Sequence, residues 1–248
     1  MINVLICGIS TDMGKCVYKA AERKGLNVVC GVDKSIDGDF EFTCPVYSSF
    51  EDVRELVDVI IDVSTPDMID EILAYAIENS CPLIEGTIDY SQQQKDEIRK
   101  ASEKIPVFLS SNLSLGVNVM FKVCVETAKM FKNYDIEIVE KYSAHKVNAP
   151  GSTTKALANE LNMALGGTRK ITIGRDGIRN ENEIGIHCVR GGHIGSEHEV
   201  IFIGEKELIS IKHVTEDNSL FADGAVAIIN FLSGKQNGFF TIKDFFNN

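Results

Sequence analysis

Two kinds of hydrophobic pattern divide this chain. Through residues 2–111, short apolar runs rich in β-branched residues (INVLICG, NVVCGV, DVIIDVS, CPLIEGT and IPVFLSS) alternate with stretches of helical period such as 67–78 and 91–103. Strands covered on both faces read as continuous apolar runs, and their interleaving with helices builds a parallel sheet. The expected fold there is α/β, a Rossmann-type doubly wound parallel sheet. After a helix expected at about 116–131 the pattern changes. DIEIVEKYS leads through a loop to a helix near 152–164, and EIGIHCVR, EHEVIFIG and ELISIKHV then follow as alternating strands with too few residues between them for crossover helices. That predicts an α+β domain with a mostly antiparallel sheet. Residues 219–233 return to helical period, and GFFTIKDFF closes the chain.

The first strand, turn, helix and second strand carry a chemical signal. A turn runs from Gly8 to Gly14, and the second strand ends in Asp33, 19 positions after Gly14. In dinucleotide folds, glycines let backbone amides approach a pyrophosphate at a helix N-terminus, and the acid accepts hydrogen bonds from ribose hydroxyls. The turn departs from the glycine fingerprint, since Thr11 stands at its middle glycine and Asp12 adds a negative charge. A plain strand–helix turn without a ligand is the competing reading. Lys34 likewise reads either as a partner for a 2′-phosphate or as a solvated lysine.

A second signal is EKYSAHKVNAPGSTTKA, residues 140–156. A lysine ahead of a Pro-Gly turn, with a helix starting near Ser152 and Thr153, makes an anion site in which hydroxyls and amides face the ligand and Lys146 neutralises it. An N-capping hydroxyl with a solvated lysine is the plainer alternative. His193, Glu197 and His198, with His187 and Cys188 upstream, are metal-ligand types, but they alternate along strands without a zinc spacing, so no metal is expected.

Composition narrows the classes. The 248 residues are 44% hydrophobic and 25% charged, as in ordinary globular proteins, and 36 acidic against 25 basic side chains give a formal charge of −11. That balance argues against nucleic acid as a partner while leaving room for a small anion in a local cationic pocket. Seven cysteines with no CxxC pair read as reduced thiols, which points to the cytoplasm. The N-terminus MINVLICGIS lacks a basic region and meets a turn at once, unlike a signal peptide. No apolar run approaches the roughly 20 residues that span a bilayer, so no membrane partner is expected.

Several segments together carry a resemblance. PLIEGTIDYS, SSNLSLGVNVM, EKYSAHKVNAPGSTT, VRGGHIGSEHEVIF, LFADGAV and the closing GFFTIKDFF resemble the 4-hydroxy-tetrahydrodipicolinate reductase (dihydrodipicolinate reductase) family across essentially the whole chain. The resemblance implies a dinucleotide-binding domain at 1–112, completed by 219–248, and a substrate-binding, oligomerisation domain at 113–218. It implies hydride transfer from NADH or NADPH to a small cyclic dicarboxylate of the lysine and diaminopimelate pathway, with a side-chain acid supplying a proton. For the cofactor it points to Gly8, Ile9, Ser10, Thr11, Asp12 and Met13 at the pyrophosphate, and to Asp33 and Lys34 at the adenosine ribose. Gly86, Thr87 and Ile88, with Ser110, Ser111, Asn112 and Leu113, take the remaining strand ends. Lys146 matches the catalytic lysine, and Thr153 the threonine that grips a substrate carboxylate. Tyr142 stands at the proton-donating histidine, Ser143 at its histidine neighbour, Asn148 at an aspartate, and Gly151-Ser152 in place of Ser-Gly. Ile88 and Asp89 replace a threonine and a glycine.

These departures leave two readings, an active reductase with a drifted acid/base set and a non-catalytic or altered-specificity relative that binds a nucleotide or small dicarboxylate. A phenol, with a pKa of about 10, is a poorer acid near neutrality than an imidazolium, and His145 is a neighbouring alternative donor. The persistence of Lys146, Thr153, residues 112–118 and the RGG loop favours the enzyme. Strands between 182 and 214 with exposed edges predict a homotetramer.

Overall fold

The structure, a computed structural model, describes residues 1–35, 41–110, 112–217 and 219–247. Along the chain come β1 (Asn3–Cys7), α1 (Asp12–Arg23), β2 (Asn27–Val32), β3 (Val46–Tyr47), β4 (Val59–Asp62), α2 (Ile69–Glu78), β5 (Leu83–Glu85), α3 (Gln92–Ala101) and β6 (Pro106–Leu109). They are followed by α4 (Leu115–Met130), β7 (Asp135–Tyr142), α5 (Ser152–Ala164), β8 (Lys170–Ile173), β9 (Glu183–Arg190), β10 (Ser196–Ile203), β11 (Leu208–Thr215), α6 (Ser219–Leu232), β12 (Gly238–Phe240) and α7 (Ile242–Phe246). The chain divides into two units, Met1–Leu115 with Asn218–Asn248, and Gly116–Asp217.

In the first unit the seven-stranded sheet has the order β12-β6-β5-β4-β1-β2-β3, and every pair is parallel. β1 shows why its sequence is apolar throughout. Val4 and Ile6 enter one core with α1 and α6, whereas Leu5 and Cys7 enter the other with α2. The chain's end returns because α6 contributes Ala222, Ala225 and Ile229 to the core that Val17, Tyr18 and Ala21 of α1 also line, while Phe239 of β12 pairs with Val107 of β6. The strand order runs outward in both directions from β1 and β4, so the switch point, where doubly wound sheets take ligands, lies beyond their carboxyl ends.

The second unit holds a five-stranded sheet, β11-β10-β7-β9-β8. It is mixed rather than mostly antiparallel. β10 runs antiparallel to β7 and β11, but β7, β9 and β8 are mutually parallel. The physical reason is β8, a four-residue, largely uncovered strand that pattern alone does not single out. α5 carries the chain from the end of β7 back to the start of β8, and residues 174–182 carry it back again to β9, so β9 adds beside β7 in parallel and never pairs with β10. α4 and α5 cover one face, where Met120, Cys124, Leu157 and Leu161 pack on Ile136, Ile138, Ile184, Val200 and Phe202. The opposite face carries charge, with Glu197 held between Lys141 at 2.6 Å and Lys212 at 2.8 Å. Among the described residues, no helix is long and apolar enough to cross a membrane.

Candidate active site

β7 ends on the helix-covered face. Alternation places Glu140 and Tyr142 on the side of Ile136 and Ile138. Register then sets Glu140 opposite His198 of β10 and Cys188 of β9, and Tyr142 opposite Arg190. Glu140 is fully buried, yet three donors converge on it: the Gly151 amide at 2.9 Å, the Thr154 hydroxyl and the Arg190 guanidinium. Burial pushes its pKa up, but the hydrogen bonds from Thr154, Arg190 and Gly151 outweigh it and hold the carboxyl below the ordinary carboxylate range. One buried anion therefore ties the end of β7, the start of α5 and the end of β9.

The intervening loop hangs from this anchor. Arg190 also donates to the Asn148 carbonyl at 2.7 Å, and the RGG segment pairs with the strand end through Gly191 N to Tyr142 O (3.2 Å) and Ala144 N to Gly192 O (3.1 Å). The Tyr142 ring lies under two cations, the Lys146 ammonium at 5.0 Å and the Arg190 guanidinium at 5.2 Å from its centroid. Its hydroxyl is 3.0 Å from His198 Nε2, with the two rings edge to face. Burial, with the nearby Glu140 charge, raises the Tyr142 phenol, against the opposing effect of the Thr153 hydroxyl and Arg190. Burial lowers His198 to about 4, so its imidazole is neutral near pH 7. The residue before α5 is Gly151, and no side chain among the described residues caps the helix. The first-turn amides at Ser152 and Thr153 thus lack the side-chain cap considered as the plainer reading, and amides in that setting are suited to an anion.

In the first unit the predicted turn is built from backbone. Gly8 has φ +72°, and a Cβ there would stand 2.6 Å from Ser64 Cα, while a Cβ on Gly14 would stand 2.1 Å from the Gly8 carbonyl. Thr11 is the N-cap of α1, its hydroxyl accepting from Gly14 N at 2.9 Å and donating to Gly8 O at 2.7 Å. No partner is seen for the amides of Asp12 and Met13 among the described residues. Asp33 accepts from Ser10 N at 3.0 Å and Ser35 N at 3.1 Å, closing the turn onto the end of β2. The tight glycine approach, the open amides and the carboxylate at the next strand end fit a dinucleotide.

Beside this turn lies a buried acidic pair. Asp62 and Glu85 are register partners on β4 and β5, and both are fully buried. Asp62 accepts from Ser64 N at 3.0 Å and Tyr90 OH at 3.2 Å, and Glu85 accepts from Thr87 N at 3.0 Å. Burial, then the Asp62 charge beside it, drives the Glu85 pKa well up. These bonds brace the Gly86–Tyr90 loop, in which Asp89 takes φ +67°.

The predicted residues fall into distinct settings. Tyr142, Ser143, Lys146, Ser152 and Thr153 belong to one loop and the helix that follows it. Gly8, Ser10, Thr11, Asp12 and Met13 form the turn with Asp33, but the Ile9 side chain is buried against Gly31 and offers a ligand only its backbone. Leu113 is likewise buried, its side chain occupying the place a Cβ on Gly86 would take. Lys34 is held by Asp67 at 3.1 Å and Glu71 at 3.4 Å. Thr87 is buried and Ile88 exposed. Ser110 donates to the Asn112 carbonyl at 2.7 Å, and Ser111 lies outside the described residues. Sequence reasoning missed Glu140, Thr154, the acidic pair and the contact of Tyr142 with His198. The available signal was a charged residue at an inward position of an apolar strand, as Glu140 is two residues after Ile138.

Comparison with known proteins agrees with this architecture. The family model described as "Dihydrodipicolinate reductase, N-terminus" matches residues 2–113, and "Dihydrodipicolinate reductase, C-terminus" matches residues 116–246. A protein of Clostridium novyi (strain NT) named 4-hydroxy-tetrahydrodipicolinate reductase is 38% identical over 98% of each chain. One of the same name from Caldanaerobacter subterraneus subsp. tengcongensis is 39% identical, again over 98% of each. Among solved structures, dipicolinate-bound dihydrodipicolinate reductase from Paenisporosarcina sp. TG-14 superposes with a TM-score of 0.83 over 97% of each chain at 21% identity, a likeness of fold. Matched along both units, the chain belongs to the dihydrodipicolinate reductase family.

Proposed function

We propose that this protein reduces 4-hydroxy-tetrahydrodipicolinate to tetrahydrodipicolinate with a reduced nicotinamide dinucleotide, the step that gives its relatives their name, in lysine and diaminopimelate biosynthesis. The observation that carries the reading is the start of α5 without a side-chain cap, on a loop held by a buried carboxylate, next to the Tyr142 ring that the Lys146 ammonium covers at 5.0 Å. Lys146 neutralises the substrate carboxylates, the amides and hydroxyls of Ser152 and Thr153 grip one of them, and Ser143 lines the same loop. Tyr142 donates the proton. In the first unit the amides of residues 8–13 hold the pyrophosphate and Asp33 the ribose, with Gly86–Ile88 and Ser110–Leu113 at the nicotinamide end. Bound there, the nicotinamide supplies hydride.

Asp33 and the pairing of Lys34 with two carboxylates favour NADH over NADPH, because a 2′-phosphate would meet Asp67 and Glu71 along with the lysine. The edge strand β11 leaves Leu208 63% and Val214 59% exposed, which supports assembly as a homotetramer through the second unit. All seven cysteines are free, in keeping with a cytoplasmic setting. A steady-state assay with freshly generated cyclic substrate and each nicotinamide tests the reading: substrate-dependent oxidation, faster with NADH, is expected. Binding of both ligands without turnover refutes it.

A further inference from the structure

Tyr142 stands where the proposed reaction needs a proton donor, yet it is a phenol whose pKa burial raises further. When such a group releases its proton, a charge appears on a half-buried oxygen, and a preorganised donor aimed at that oxygen is what makes the step feasible. Besides the Thr153 hydroxyl, which opposes the rise in the phenol's pKa, a buried imidazole is in contact with it. His198 Nε2 lies 3.0 Å from the Tyr142 oxygen, and the imidazole is almost fully buried on β10.

The tautomer follows from the other ring nitrogen. His198 Nδ1 is buried without a partner among the described residues. A hydrogen there would strand a buried N–H, and orphaned buried N–H groups are rarer than under-used acceptors. The hydrogen therefore belongs on Nε2, pointing at the tyrosine oxygen. That leaves the phenolic hydrogen free to turn away from His198. The charged and titratable groups facing His198 are Glu140 on β7, His213 on β11, Lys146 in the loop and Glu197 beside it in the chain.

We propose that His198 is a positioning residue for Tyr142, donating Nε2–H to the phenol oxygen so that the phenolic hydrogen faces the substrate and the tyrosinate formed in the reaction is held by that same bond. This rests on the reading of the protein as a reductase. In the step, the cyclic substrate has lost its 4-hydroxyl as water to become the unsaturated dicarboxylate, has accepted hydride and carries that electron pair as an anion. The Tyr142 O–H bond breaks, its proton goes to that anion, and the charge stays on the Tyr142 oxygen. Solvent reprotonates the tyrosinate before the next turnover. His198 stays neutral throughout, and the electrons come only from the hydride.

The test is a double-mutant cycle joined to a tautomer measurement on the full chain. His198→Ala should lower kcat about 10- to 100-fold with little change in the KM for the nucleotide, and His198→Gln, whose amide can donate at the same place, should recover most of the loss. In the Tyr142→Phe background the His198→Ala change should cost less than about two-fold, because the oxygen it serves is gone. Equal losses in both backgrounds would make His198 a packing residue and overturn the proposal. Nitrogen NMR of the imidazole rings supplies a readout independent of turnover: the His198 Nε2–H tautomer between pH 6 and 8, with a resonance that moves in Tyr142→Phe, is expected, and the Nδ1–H tautomer overturns the proposal. If the native protein proves inactive towards the substrate, the reductase reading fails, and the tautomer measurement still decides the pairing.

Discussion

The loops that follow the first strand of each unit are made of different material. The turn after β1 is backbone: Gly8 and Gly14 allow close approach, and the amides of Asp12 and Met13 have no partner among the described residues. The side chain at its middle glycine position, Thr11, is turned to the backbone as the N-cap of α1. The loop after β7 is side chains, with Glu140, Arg190, Tyr142 and His198 all partly or fully buried and bonded to one another. Under the proposed function, a tyrosine in place of a histidine there changes the acid itself. Backbone sites absorb residue exchange because every residue carries an amide; side-chain sites do not, because each buried polar atom needs a particular partner.

Four measurements break or sharpen this contrast. Lys146→Ala should have the largest effect, lowering kcat/KM by about 10²- to 10⁴-fold while nucleotide affinity, read by fluorescence, stays within two-fold. A comparable loss of nucleotide affinity would mean that the two loops are not separable.

Glu140→Leu comes next. Removing one partner of a buried ion pair typically costs about 3–5 kcal/mol, here by stranding the Arg190 guanidinium, and urea unfolding should register it. The pKa of Glu140 is depressed in the folded chain, so its stabilisation is present above the unfolded value of about 4.5 and is lost as pH falls through the depressed value. Glu140→Gln should accordingly flatten the acid limb of the stability curve. An unchanged acid limb would mean the carboxylate is not the anchor.

Glu85 should behave in the opposite sense. Its pKa is raised by burial, so the native chain keeps a proton that the unfolded chain releases above about 4.5. The favourable contribution is complete below that pH and declines as pH rises towards the raised native value. Relative to the native protein, Glu85→Gln should therefore gain in melting temperature between pH 4 and pH 8. A constant difference across that range would show that the Glu85 pKa is not raised in the folded chain.

The smallest effect is expected at Lys34. Lys34→Ala should raise the NADPH Kd a few-fold and leave NADH within two-fold, since removal exposes a 2′-phosphate to Asp67 and Glu71. Equal changes for both nucleotides would separate Lys34 from the phosphate.

Much of the architecture was legible in the sequence, for reasons visible in β1 and β7. A strand covered on both faces must be apolar at every position, and Val4, Leu5, Ile6 and Cys7 are all buried, so the parallel sheet was written in the runs themselves. The glycine turn was legible because few residues other than glycine tolerate φ +72° against a neighbouring backbone. The direction of β9 was not. Parallel or antiparallel addition depends on where β8 docks, and a four-residue, half-exposed strand carries little pattern of its own.

The same division runs through the site. Residue type and spacing determined that Tyr142, Lys146 and Thr153 fall along one strand end, loop and helix start, because those are facts of local order. Only the tertiary structure decided that Gly151 and not a hydroxyl precedes α5, that Thr154 and Arg190 meet on Glu140, and that His198, 56 residues from Tyr142, lies 3.0 Å from its oxygen. Those contacts depend on register between strands distant in sequence, and a strand's pattern specifies which face a residue takes, not which residue of another strand stands beside it.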